Sequence, residues 1–112
     1  MRDLPPLALE QVAAYFRVLS EPTRLQILTL LRDGERNVGE LAQACGYTAA
    51  TVSRHLSLMT KHGIVAREER GPSVYFRIAD ERVDALCDLV CGSIASRLQA
   101  ASEVHDAFKA LL

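Results

Sequence analysis

Tryptophan is absent from this 112-residue chain, and three Tyr and three Phe supply all its aromatic bulk. A domain this small with so few large side chains has a thin core as a monomer, so dimerisation is expected. Cysteine is scarce as well. Three residues are an odd number, far below what a disulfide scaffold needs, and they point to reduced thiols in a cytoplasm. No apolar run approaches the roughly 18–20 residues that cross a bilayer, so no membrane partner is expected. The first residues, Met1-Arg2-Asp3-Leu4-Pro5-Pro6, lack the continuous apolar stretch of a secretory signal. Charge of one sign is also not in excess: 13 Lys and Arg against 14 Asp and Glu leave −1. That balance excludes a uniformly basic nucleic-acid coat, though not a local patch. There is no Gly-rich phosphate loop, no His-Glu-x-x-His and no nucleophile elbow, so neither an enzyme nor a catalytic residue is expected.

What the chain does have is 49% hydrophobic residues, the composition of a globular protein, in a mostly helical rhythm. Leu9, Val12, Ala13, Phe16 and Leu19 predict an amphipathic helix over 7–19, after a flexible arm over 1–6. Ser20 is the expected N-cap of a second helix. Leu25, Ile27, Leu28, Leu30 and Leu31 make that helix apolar around much of its circumference, as a buried centre would be, and Asp33-Gly34 ends it. Val38–Ala44 predicts a short helix, Gly46-Tyr47 a turn, and Thr48 the cap of a helix that runs to His62 with Val52, Leu56 and Met59 inward. The period then drops to two. Strands over Ile64–Glu69 and Ser73–Ala79 flank a turn at Glu69-Arg70-Gly71-Pro72, and a last helix is expected over 80–112. A short helix joined to a longer one by a tight turn is a helix-turn-helix, here over 38–62, and the hairpin over 64–79 is its wing. The expected fold is therefore mainly α with a β-hairpin wing, as one domain over 1–112.

The charge is unevenly placed. Residues 1–47 carry −1, residues 48–77 carry +3 and residues 78–112 carry −3. The positive segment is the second helix of the helix-turn-helix together with the wing, where a DNA-binding fold needs cations against phosphate. Its candidate DNA-contacting residues are Thr48, Thr51, Ser53, Arg54, His55, Lys61, Arg67 and Arg70. The N-terminal half of a recognition helix enters the major groove, where an Arg such as Arg54 pairs bidentately with guanine and Thr or Ser meets phosphate or base edges. Thr48 serves equally as a plain N-cap; for Arg70, next to Gly71-Pro72 at the wing tip, a minor-groove or backbone contact is the expectation over a solvated turn residue. A protein-interaction module without DNA binding or an inducer site would lack this polarity over 48–62.

Leu19-Ser-Glu-Pro-Thr-Arg-Leu-Gln-Ile-Leu28, Val38-Gly-Glu-Leu-Ala42, Thr51-Val-Ser-Arg-His-Leu56, Gly63-Ile-Val65 and Val74-Tyr-Phe-Arg77, in this order, resemble the ArsR/SmtB family over about residues 8–100. The resemblance implies a winged-helix repressor that binds a palindromic double-stranded operator and leaves it on binding an inducer. It also implies a homodimer through the first and last helices. Leu86, Val90, Ile94, Leu98, Ala101 and Val104 on the last helix form an apolar stripe suited to that seam.

The family's sensor positions are only partly present. The Cys-x-Cys of the short helix is replaced by Val38-Gly39-Glu40-Leu41, and of a zinc-type set on the last helix only Asp80 remains, with Arg82, Ser93 and Ser96 elsewhere. Cys87 and Cys91 stay as a pair four residues apart, on one helical face. Two thiolates at that spacing can close on a soft ion, and As(III) or Sb(III) would take a third sulfur from Cys45 or from a partner subunit. The same residues are open to two other readings, buried packing groups or thiols that sense oxidants or reactive sulfur.

Overall fold

The computed structural model describes residues 2–111, so Met1 of the expected arm and Leu112 of the expected last helix lie outside the described residues. The chain divides into two compact units, Met1–Asp80 and Glu81–Leu112. In the first, α1 spans Pro6–Leu19 and α2 spans Pro22–Leu31, each with a proline in its opening turn, where the missing N–H costs no hydrogen bond. The expected cap of α2 is corrected. Glu21 is the N-cap, its carboxylate accepting from the Arg24 N–H at 3.0 Å, while the Ser20 hydroxyl closes α1 instead, donating to the Arg17 carbonyl at 2.7 Å. The longer carboxylate reaches the first turn from one residue nearer the helix.

A two-residue strand, β1 (Arg36–Asn37), follows α2 and has no counterpart in the expected element order. Asn37 then opens α3 (Val38–Cys45) with a capping box: its side chain accepts from the Glu40 N–H at 2.8 Å, and the Glu40 carboxylate accepts from the Asn37 N–H at 3.1 Å. Gly46 ends α3 in the left-handed conformation, φ 75°, which a side chain would strain. The turn delivers the chain to Thr48 and to α4 (Ala49–Lys61). Strands β2 (Val65–Arg70) and β3 (Ser73–Ile78) form the hairpin, with Arg70 opposite Ser73 and only Gly71-Pro72 between them. Strand order is β1-β3-β2, antiparallel throughout, so β1 lies along the outer edge of β3.

One core joins these elements. Ile27 of α2, Leu41 of α3, Val52, Leu56 and Met59 of α4 and Ile64 are each fully buried, and Val65 and Phe76 bring the hairpin in. Of the apolar residues expected to make α2 the buried centre, Ile27, Leu28 and Leu31 are buried, but Leu25 is 40% exposed, and Thr23 is buried as well. On α1, Leu9 and Phe16 are likewise exposed in the single chain, and Val18 is the buried residue.

The second unit is one helix, α5 (Glu81–Ala110), 30 residues with Glu81 and Asp84 in its first turn and Lys109 in its last. Those charges oppose the helix dipole at each end. Val90, Ile94, Leu98, Val104 and Phe108 stand exposed along it.

Leu56→Ala is expected to lower the unfolding free energy by about 2–5 kcal/mol, the usual cost of emptying a sealed leucine site. Urea denaturation measures it, and a loss well under that range would show that α4 is not seated on the core.

Candidate nucleic-acid interface

Helix α4 has one sealed side and one wet side. Val52, Leu56 and Met59 are turned into the core, so the helical repeat turns Thr48, Thr51 and Arg54 outward, three residues apart and on neighbouring turns. They are joined by hydrogen bonds. The Thr48 Oγ1 accepts from the Thr51 N–H at 3.1 Å and donates to the Thr51 Oγ1 at 2.9 Å, and the Arg54 guanidinium donates to that same Thr51 oxygen at 3.5 Å. Thr48 is thus an N-cap in fact, and its hydroxyl also steers Thr51 and, through it, Arg54. Arg54 is exposed, with its fork at the N-terminal half of the helix.

A groove of about 580 Å³ separates α4 from the hairpin. Ser53, Ser57 and Lys61 line it from the helix, Arg67 from β2, and Val74 and Phe76 from β3. Ser53, Lys61 and Arg67 of the expected set therefore meet in one place. Ser57, which shares the same helical face by four-residue spacing, joins them.

Two expected residues lie elsewhere. The half-buried His55 is turned away from this face, its Nδ1 lying 3.3 Å from an Arg24 Nη and 4.0 Å from the Glu21 carboxylate. The same Arg24 donates to the carbonyls of Arg17 and Val18 in the last turn of α1, so one guanidinium ties α1 and α2 to α4. Arg70 is at the wing tip as expected, but it is engaged. Its guanidinium is held bidentately by Glu35, donates to the Glu68 carboxylate at 2.7 Å and stacks 5.0 Å over the Tyr75 ring. The Arg70 hydrogen bonds hold the Glu35 carboxyl below the usual range of a glutamate. Arg67 is paired with Glu69 at 3.3 Å.

These positions frame what comparison with other proteins shows. The family model of bacterial regulatory proteins of the arsR family matches residues 21–67, from the cap of α2 into β2. The HTH-type transcriptional regulator NmtR of Mycobacterium tuberculosis is 37% identical over 81 residues, 72% of this chain and 68% of that protein. This chain belongs to the arsR family. Another HTH-type transcriptional regulator of M. tuberculosis is 42% identical over 88 residues, and there the match spans 79% of this chain but only 39% of the relative. A probable mercury resistance operon repressor of Streptomyces lividans is 32% identical over 81 residues, 72% of this chain and 65% of its own. The solution structure of a homodimeric winged helix-turn-helix DNA-binding domain from Mycobacterium bovis, described as a possible ArsR-family transcriptional regulator, superposes with a TM-score of 0.77. It shares 36% identity and covers 88% of this chain and 94% of its own. The winged helix-turn-helix is thus the fold of this arsR-family member, and its relatives are transcriptional regulators.

As to the thiols of this arsR-family chain, Cys45, Cys87 and Cys91 are not joined in disulfides. Cys87 is half-buried and Cys91 exposed, one turn apart on α5. Cys45 closes α3, and burial pushes its thiol pKa up. Among the described residues, no group of three or more His, Cys, Asp or Glu side chains is assembled for a metal ion. No helix among them is long and apolar enough to cross a membrane.

Replacing Thr48 separates its two roles. Thr48→Ala is expected to lose about 1 kcal/mol of stability with the cap, whereas Thr48→Asp keeps it, because Asp caps as well. Thermal unfolding of the two variants reads the difference, and equal losses would remove the cap from the account.

Proposed function

We propose that the chain is a homodimeric transcriptional repressor that binds a palindromic double-stranded operator through α4 and the wing. The observation that carries this is the two-sidedness of α4, with a sealed core face opposite the hydrogen-bonded row Thr48, Thr51 and Arg54. On this reading Arg54 pairs with a guanine edge in the major groove, and Thr51 and Thr48 meet phosphate or base edges beside it. Ser53, Lys61 and Arg67 line the groove through which a phosphate strand passes, and Arg70 reaches the backbone beside the wing. His55 acts from behind, fixing α4 to α2 through Arg24. The first and last helices form the dimer seam, for which the exposed row Val90, Ile94, Leu98 and Val104 of α5 supplies apolar surface.

In this proposal the inducer is a thiophile of the arsenite or antimonite kind, or a soft divalent metal, held in a reducing cytoplasm by the thiolates of Cys87 and Cys91. Cys45 or a cysteine of the partner subunit completes the set. Support comes from the i, i+4 spacing on α5 and from a relative named as a mercury operon repressor. Binding displaces the thiol protons and pulls on the helix that sets the half-site spacing, so the two recognition helices no longer fit successive major grooves. A second reading, thiol oxidation or reactive-sulfur sensing, is favoured by the exposure of Cys91.

Gel-shift titration on the promoter of the protein's own operon tests both layers. Arg54→Glu is expected to abolish the shift while the unfolding midpoint stays put; unchanged affinity sinks the repressor reading. As(III), Sb(III), Cd(II), Zn(II) and a peroxide are then added in turn. Release by one thiophile that disappears in Cys87→Ser or Cys91→Ser supports the inducer site, and release by peroxide alone supports the redox reading. No release by any of them, with Cys variants behaving as wild type, leaves the cysteines as packing groups.

A further inference from the structure

The wing-tip cation is not presented to solvent as a bare charge. Arg70 lies between the carboxylates of Glu35 and Glu68, a cluster of net −1, and the neighbouring Arg67 is neutralised by Glu69. The +3 of residues 48–77 is therefore not the charge of the folded wing, because Glu35 joins it from outside that segment. β1 is what brings it there. Pairing of Arg36 with Phe76 and of Asn37 with Tyr75 lays the α2–β1 connection along the edge of the hairpin, and the residue before β1 then reaches Arg70. The geometry of the pair, two guanidinium nitrogens on two carboxylate oxygens, is the one that the same guanidinium would adopt on a phosphate.

We infer that Glu35 is a specificity-determining residue: it occupies Arg70 as a phosphate stand-in and so withholds the wing-tip cation from duplexes that do not dock α4. The pair is open to exchange, since the Arg70 and Glu35 side chains are 44% and 36% exposed, and an exposed ion pair is worth little in water. Affinity for arbitrary duplexes comes from phosphate neutralisation, so holding one cation back from each wing lowers that background. A duplex that docks α4 well brings a phosphate close enough to displace the carboxylate. The inference rests on the DNA-binding reading.

The test needs no operator. Fluorescence anisotropy with a labelled 30-bp duplex of mixed sequence, from 50 to 200 mM NaCl, compares the wild type with Glu35→Gln. The variant is expected to bind more tightly at low salt. Its plot of log affinity against log salt should steepen by about 0.9 for each wing that gains a phosphate, so the fourfold salt rise costs it about 3.5-fold more per wing. Adding Arg70→Ala to Glu35→Gln should erase the gain, and Glu103→Gln, the same charge change on α5, should not reproduce it. Weaker binding by a folded Glu35→Gln, with an unchanged or shallower slope, would show a strut that merely props the wing and overturns the inference. So would a gain that survives Arg70→Ala, or one that Glu103→Gln shares. If neither the wild type nor Glu35→Gln binds the mixed-sequence duplex even at 50 mM NaCl, the DNA-binding reading itself is overturned, whereas a binding wild type matched by Glu35→Gln overturns this inference alone.

Discussion

The burial of Val52, Leu56 and Met59 fixes the rotation of α4 about its own axis, and every outward residue of the candidate interface inherits its direction from that. All three are fully buried, and none can leave the core without opening a cavity that costs several kcal/mol. Arg24 adds a polar restraint to the apolar one, since its guanidinium links the last-turn carbonyls of α1 to His55 of α4. The helix is held from inside by packing and from the side by hydrogen bonds. Its Thr48–Thr51–Arg54 row is therefore ordered before any ligand arrives, which lowers the entropy that binding would otherwise spend on aligning long side chains.

Features coded within a few residues were the ones legible in the sequence. The cap at Thr48, the turn at Gly46 and the alternation through Val74, Phe76 and Ile78 each announce themselves locally, and the elements built on them fall within a residue or two of where the pattern puts them. Ser20 and Glu21 show the limit of such coding: two adjacent oxygen-bearing side chains can each cap a helix, and only the folded path decides which helix each one caps. β1 carried no signal, because two residues are too few to alternate. Its effects reach furthest in the fold all the same, since it carries Glu35 to a partner 35 positions away. His55 has the composition of an interface residue and the location of a buttress, a difference that depends on α2 and not on α4.

Charge counted along the chain and charge gathered by the fold are different quantities. A segment total of +3 suggests a uniformly attractive head, but Arg67 and Arg70 are paired with carboxylates, and one of these is imported from the other side of the sheet. Cys87 and Cys91 illustrate the converse. Their spacing on one helix is set by the sequence alone, whereas the third sulfur that a trivalent metalloid would want is a matter of assembly.

The joint between α3 and α4 has a consequence for how this chain can change. It is short, begins with a left-handed glycine and ends at a capping threonine, so it stores no slack. Adding or deleting one residue there would turn α4 by about 100° relative to the core. Arg54 would be carried toward the apolar interior and Leu56 toward water. Substitution of an exposed side chain such as Arg54 alters that surface and leaves the packing of α4 alone, whereas a single change of length in this joint displaces the exposed row and the core face together. The joint is therefore far less tolerant of a change in its own length than α4 is of a change in the side chains it exposes.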